Sequence, residues 1–145
     1  MALMDMPEIA TLFTTLARVL KSGGIFVFSL THPCFHSAMI QRFAEMYEEE
    51  AGRFITRTGI KVSSYITPFS KKTEGIVGQP EPHWYFHRPI STLFRLGFDN
   101  GFMIDGLEEP NLPTSEPTRA GTSWADMTEI PPVLVVRMRL LIKQE

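Results

Sequence analysis

Cysteine is almost absent: Cys34 is the only one in 145 residues. A single thiol closes no internal disulfide, which excludes a disulfide-stapled secreted scaffold and fits a reducing, cytoplasmic setting. Long apolar runs are missing too. None exceeds four residues, as in Ile25–Phe28 and Val133–Val136, against the roughly 20 that a membrane-spanning helix needs. The start, Met1-Ala2-Leu3-Met4-Asp5, has neither the basic residues nor the apolar stretch of a secretory leader. Charge of one sign is also lacking, since 14 Lys and Arg face 16 Asp and Glu for a net of -2. That balance argues against a chain that holds nucleic acid by counterion release. No repeat or low-complexity tract is present. What remains, 43% hydrophobic and 21% charged, is the composition of one globular domain over residues 1–145.

The first element is a helix. Pro7 fits a first turn, where its missing N–H had no helical partner. Ile9, Leu12, Phe13, Leu16, Val19 and Leu20 then recur at the spacing of one buried helical face. Gly23-Gly24 stops it, because glycine reaches the left-handed backbone of a helix end. Ile25-Phe26-Val27-Phe28-Ser29-Leu30 follows, an apolar run without clean alternation. Such a run predicts a strand buried on both faces, as in a parallel sheet covered by helices. This is half of an α/β unit.

Residues 33–87 read as an insertion or lid. Ser37 to Glu50 predicts a helix with Met39, Ile40, Phe43 and Met46 or Tyr47 on one side. Its three closing glutamates oppose the helix dipole. Phe54-Ile55-Thr56 and Val62 to Ile66 predict two short strands around Gly59. Gly75, Gly78, Pro80 and Pro82 mark a loop before His83-Trp84-Tyr85-Phe86-His87.

The last third returns to α/β order. Pro89 opens a helix carrying Ile90, Leu93, Phe94 and Phe98, ending near Gly101, with Gly97 as an internal weak point. Phe102 to Leu107 predicts a strand that stops by Pro110. Asn111 to Asp126 reads as a polar loop, and Val133 to Leu140 as a final strand behind Pro131-Pro132.

Particular blocks carry a resemblance. Met1-Ala2-Leu3-Met4-Asp5, the helix ending Arg18-Val19-Leu20-Lys21-Ser22-Gly23-Gly24, with serine where the common turn has proline, and the strand ending Thr31-His32-Pro33-Cys34-Phe35 resemble a class I S-adenosylmethionine-dependent methyltransferase. Tyr85 to Ser91, Gly101-Phe102, Leu107-Glu108-Glu109-Pro110 and Ile130 to Leu134 resemble the carboxy-terminal half of its small-molecule type 11 group. The resemblance implies a partial Rossmann-like α/β fold, sheet order 5-7-6 with flanking helices and a lid-like insertion. It also implies S-adenosyl-L-methionine as cofactor and a small-molecule methyl acceptor, with no nucleic acid or membrane partner. The glycine-rich turn and ribose-binding acid of the family's amino-terminal cofactor half have no counterpart here; Gly75 to Gly78 follows no expected strand and precedes no helix. The expectation is therefore a mis-started frame, a truncated gene or a separate subunit. An open sheet edge then calls for self-association or a partner chain.

The resemblance places Ala2, Leu3 and Asp5 beside the methionine portion of the cofactor. His32, at a strand's carboxyl end, would border the ligand crevice; a histidine satisfied by backbone is the alternative. His83, Tyr85, His87 and Arg88, with His32, are the substrate-shaping candidates, and His32 and His87 the candidate bases. The alternative is that Trp84, Tyr85 and Phe86 pack the lid and Arg88 pairs with Glu108 or Glu109. His32, Cys34 and His36 share one face if the strand continues, a spacing that suggests a metal. Pro33 interrupts it and no second ligand pair follows, so no metal is assigned.

Overall fold

The computed structural model describes residues 2–37, 39–75, 78–111 and 122–141. After a short 3₁₀ turn, Leu3–Asp5, helix α1 spans Ala10–Val19. It begins three residues beyond Pro7, where Glu8 accepts the Ala10 N–H. Its end turns through Gly23 (φ 78°) into β1, Ile25–Thr31. That turn is tied across the sheet: Gly23 N–H donates to the Leu140 carbonyl at 2.7 Å and Leu140 N–H to the Gly24 carbonyl at 2.9 Å.

Helix α2, Ile90–Asp99, then β6, Phe102–Glu108, and β7, Val133–Leu140, complete the core. The three-stranded sheet has the order β1-β7-β6, with β7 antiparallel to both neighbours and Phe28 opposite Val136. One face gathers Phe28, Leu30, Phe102, Leu134, Val136, Met138 and Leu140 against Phe13 of α1 and Leu93 of α2. Phe13 is 0% exposed and meets Phe26 and Phe102 edge-on, with ring centroids 5.9 and 6.4 Å away. Burying it contributes about 2–3 kcal/mol. Gly97 sits inside α2 because a Cβ there would lie 2.7 Å from the Met138 sulfur. On the opposite face a bulge at Asp105 turns its carboxylate onto Arg137 Nε (2.8 Å) and Arg139 Nε (2.7 Å). Arg137, then Arg139, holds that carboxyl below the usual range.

Three expectations are corrected. The β1 run is not buried on both faces, and its sheet is antiparallel: Ile25 and Val27 are 46% and 56% exposed. Its alternate residues pack on the helices while the others face outward, and among the described residues only one edge of β1 is paired, by β7. Second, 37–50 is not a helix. Ile40–Glu49 forms β2, paired antiparallel with β3, Arg53–Val62. The helical spacing of Phe43 and Tyr47 also fits one strand face, and there β3 supplies partners: Gly59 under the Phe43 ring, Arg57 over Tyr47 and Lys61 on Glu45 at 2.8 Å. Ala51 and Gly52 turn the hairpin at φ 75° and 73°. Third, the two short strands expected around Gly59 are one continuous β3 that stops at Val62. A second hairpin joins β4, Phe69–Thr73, which the sequence reading did not expect, to β5, His83–His87. The expected loop at 111–126 falls mostly outside the described residues; within it, Trp124–Asp126 forms a 3₁₀ turn capped by Ser123. Among the described residues no helix is long and apolar enough to cross a membrane.

Candidate functional site

Three segments meet at the end of β1. Strand alternation on β5 sends His83, Tyr85 and His87 to one side and Trp84 and Phe86 to the other. The 3₁₀ turn packs against β5 and brings Met4 and Asp5 alongside. The chain leaving β1 folds back, with His36 N–H donating to the His32 carbonyl at 2.7 Å, and supplies His36 and Ser37. With Thr31, Tyr85, Thr73, Glu74, Gly75 and Gln79 these line a cleft of about 430 Å³. Two carboxylates, Asp5 and Glu74, line it, and no lysine or arginine does so among the described residues.

His83 Nε2 lies 3.5 Å from Asp5 Oδ1, inside ion-pair range and longer than a full hydrogen bond. Gln79 Nε2 stands 3.2 Å from His83 Nδ1. His36 Nδ1 is 3.3 Å from the Pro132 carbonyl, which only accepts, so the ring proton is on Nδ1 and the lone pair on Nε2. Burial pushes the His36 pKa below the usual histidine value; the hydrogen bond to Pro132 opposes this and the Arg42 charge adds to it. The ring also packs on Trp124, 4.5 Å between centroids. A neutral imidazole with an open lone pair at a cleft wall is competent as a general base. Tyr85 is buried, which raises its phenol pKa, and accepts from the Thr31 hydroxyl at 3.5 Å.

The other residues singled out in the sequence lie elsewhere. His32 is 2% exposed and does not line the cleft. Its Nδ1 accepts from Cys34 N–H at 3.2 Å, so Nε2 donates to Glu109 at 2.8 Å. Both nitrogens are thus committed to tying the end of β1 to the residue after β6. His87 is 1% exposed, stacked on Phe69, and donates from Nε2 to the Tyr65 carbonyl at 2.7 Å. Arg88 pairs with neither Glu108 nor Glu109. Its guanidinium donates to the carbonyls of Leu3 (3.2 Å), Met6 (2.7 Å) and Pro7 (2.9 Å), clamping the segment that carries Asp5. Leu3 is core, and Ala2 is exposed away from the cleft lining. His36 entered the sequence reading only through the metal spacing. Its place at a strand's exit was the signal for a cleft role.

Among the described residues no group of three or more His, Cys, Asp or Glu is arranged to hold a metal. Nor, among them, does a strand run through a glycine-rich turn into a helix, the arrangement that brings backbone close to a nucleotide-like ligand.

Neither a protein-family model nor a curated protein matches the sequence. Solved structures do. A protein described as an S-adenosylmethionine-dependent methyltransferase of Listeria monocytogenes overlaps with a TM-score of 0.67 at 23% identity, over 100% of this chain and 59% of its own. An S-adenosylmethionine-dependent methyltransferase of Mesorhizobium loti gives 0.64 at 25% identity, over 96% and 58%. The glycopeptide N-methyltransferase MtfA, solved with S-adenosyl-L-homocysteine, overlaps more weakly, at 0.46 and 15% identity. The chain therefore spans less than three fifths of the first two proteins, yet nearly all of it overlaps them. Its mixed α/β fold is that of part of an S-adenosylmethionine-dependent methyltransferase domain.

Proposed function

We propose that the chain is the acceptor-binding part of an S-adenosylmethionine-dependent methyltransferase acting on a small molecule, with β1, β7 and β6 as the fifth, seventh and sixth strands of that fold. The observation that carries this is the overlap of nearly the whole chain with two such proteins, with TM-scores of 0.67 and 0.64. The cleft is placed where an open α/β sheet takes a ligand, at the carboxyl end of β1. There Asp5, His83 and Tyr85 face the acceptor and His36 takes a proton where the acceptor must lose one. Incubation of the chain, in an associated form that covers the open edge of β1, with methyl-labelled S-adenosylmethionine and a panel of small acceptors tests this: label in an acceptor supports it, and label in none contradicts it.

One observation favours a second reading. Among the described residues β1 pairs only with β7, and Ile25 and Val27 stand exposed beside its open edge. A free strand edge next to apolar side chains is a template for another chain. In this reading the chain is a non-catalytic subunit whose edge docks a cofactor-binding partner or a second copy. A monomer by sedimentation that also gains no partner from its native lysate contradicts it.

A further inference from the structure

Between β4 and β5, Gly75 and Gln79 both stand against one histidine, His83. A Cβ on Gly75 would lie 2.5 Å from His83 Cε1, so the imidazole occupies space that only glycine leaves. The orientation of the neighbouring Gln79 amide is determined twice over. Its oxygen faces the Gly75 N–H at 3.0 Å, which only donates, and its nitrogen faces the Glu81 carbonyl at 2.6 Å, which only accepts. The same nitrogen therefore donates to His83 Nδ1 at 3.2 Å. Nδ1 holds the lone pair, and the ring proton of the neutral imidazole is on Nε2, toward Asp5 Oδ1 3.5 Å away.

His83 thus presents its Nε2–H toward the Asp5 carboxylate, at 3.5 Å, and Arg88 holds the backbone on either side of Asp5 through the Leu3 and Met6 carbonyls. Asp5 remains 45% exposed, open to the cleft. Glu74 adds a second negative charge, and the described lining offers no cation to a carboxylate or phosphate. Met4 and Tyr85 give the cleft an apolar wall.

We propose that Asp5 is the ligand-recognising group of the cleft, that Gly75 and Gln79 are positioning residues acting through His83, and that the acceptor class is a small amine. The assignment of that amine as an acceptor rests on the methyltransferase reading above; the recognition itself does not.

The test uses the 145-residue chain and three probes of one shape, benzylamine, benzyl alcohol and benzoate, followed by calorimetry and by nitrogen-15 spectra of the histidine rings. The expected result is benzylamine binding at least about tenfold tighter than benzoate. Asp5→Asn should bring benzylamine down to the alcohol's affinity. The free protein should show His83 as the Nε2–H tautomer, and Gln79→Leu should mix the tautomers while leaving the fold intact. Benzoate bound as tightly as benzylamine, an unchanged preference in Asp5→Asn, an Nδ1–H tautomer, or no binding on the order of 10 mM each overturns the proposal. Amine preference without methyl transfer from S-adenosylmethionine leaves this inference standing and removes the transferase reading. Methyl transfer without amine preference does the reverse.

Discussion

Arg88 is where the fold and the cleft are coupled, and Arg88→Met isolates that coupling. Methionine keeps the apolar stem and removes the fork that donates to Leu3, Met6 and Pro7. A hydrogen bond from a charged donor is worth about 1.5 kcal/mol at the low end, so three sum to about 4–5 kcal/mol. The guanidinium is only partly removed from water, with burial lowering its pKa and Glu8 opposing that, so solvent recovers about half. The expected loss is about 2 kcal/mol, or roughly 4–8 °C in Tm for a chain of this size. Chemical denaturation followed by circular dichroism measures it, with Arg88→Lys restoring about 1 kcal/mol through a single carbonyl. In the same samples the His83 ring signals should broaden or shift, because the 3₁₀ turn carrying Asp5 loses its clamp. Stability within about 0.5 kcal/mol of the parent, together with unchanged His83 signals, would show that Arg88 does not clamp this turn.

Three further outcomes follow from the same structure. Gly75→Ala should drive the His83 ring from its place and lower benzylamine affinity at least several-fold with a near-parental Tm, since the ring is half exposed and moves outward at little cost; calorimetry reads both. Phe13→Ala should cost about 3–5 kcal/mol in denaturant unfolding, because the ring is fully buried between the sheet and α2. His36, whose folded pKa lies below 6.5, leaves the unfolded chain binding the proton more readily. Stability is therefore full above pH 6.5, falls as the pH drops below it and levels off under the depressed folded value; denaturation curves across that range should show the slope in the parent and lose it in His36→Gln.

What could be read from the sequence was local. The 3.6-residue spacing of Leu12, Phe13 and Leu16, the Gly23-Gly24 stop and the apolar run after it announce α1 and β1 within a few residues of one another. Residues 40–49 were not legible because their pattern satisfies two periods, and the choice is made by Arg57, Gly59 and Lys61, up to some twenty positions away. The outward face of β1 misled for a related reason: Ile25 and Val27 are as apolar as Phe28, and only the packing distinguishes them. In the cleft, Asp5, His83 and Tyr85 were named in the sequence and stand together, while His32, His87 and Arg88 were named and serve other contacts. His83 and His87, four positions apart on β5, share a face; which neighbours claim the nitrogens of His32, His87 and His83 is decided by Glu109, Tyr65 and Gln79, none adjacent to them in sequence. Gln79 and Gly75 carry no motif at all. Their role follows from an amide orientation and a missing Cβ.

Whether this fold serves S-adenosylmethionine chemistry is read most directly by calorimetric titration of the chain with S-adenosylmethionine, with the oligomeric state recorded on the same sample. Saturable binding tighter than about 1 mM, near -4 kcal/mol, is expected in an associated form whose open β1 edge is covered. Heat no greater than dilution in every oligomeric state would contradict it.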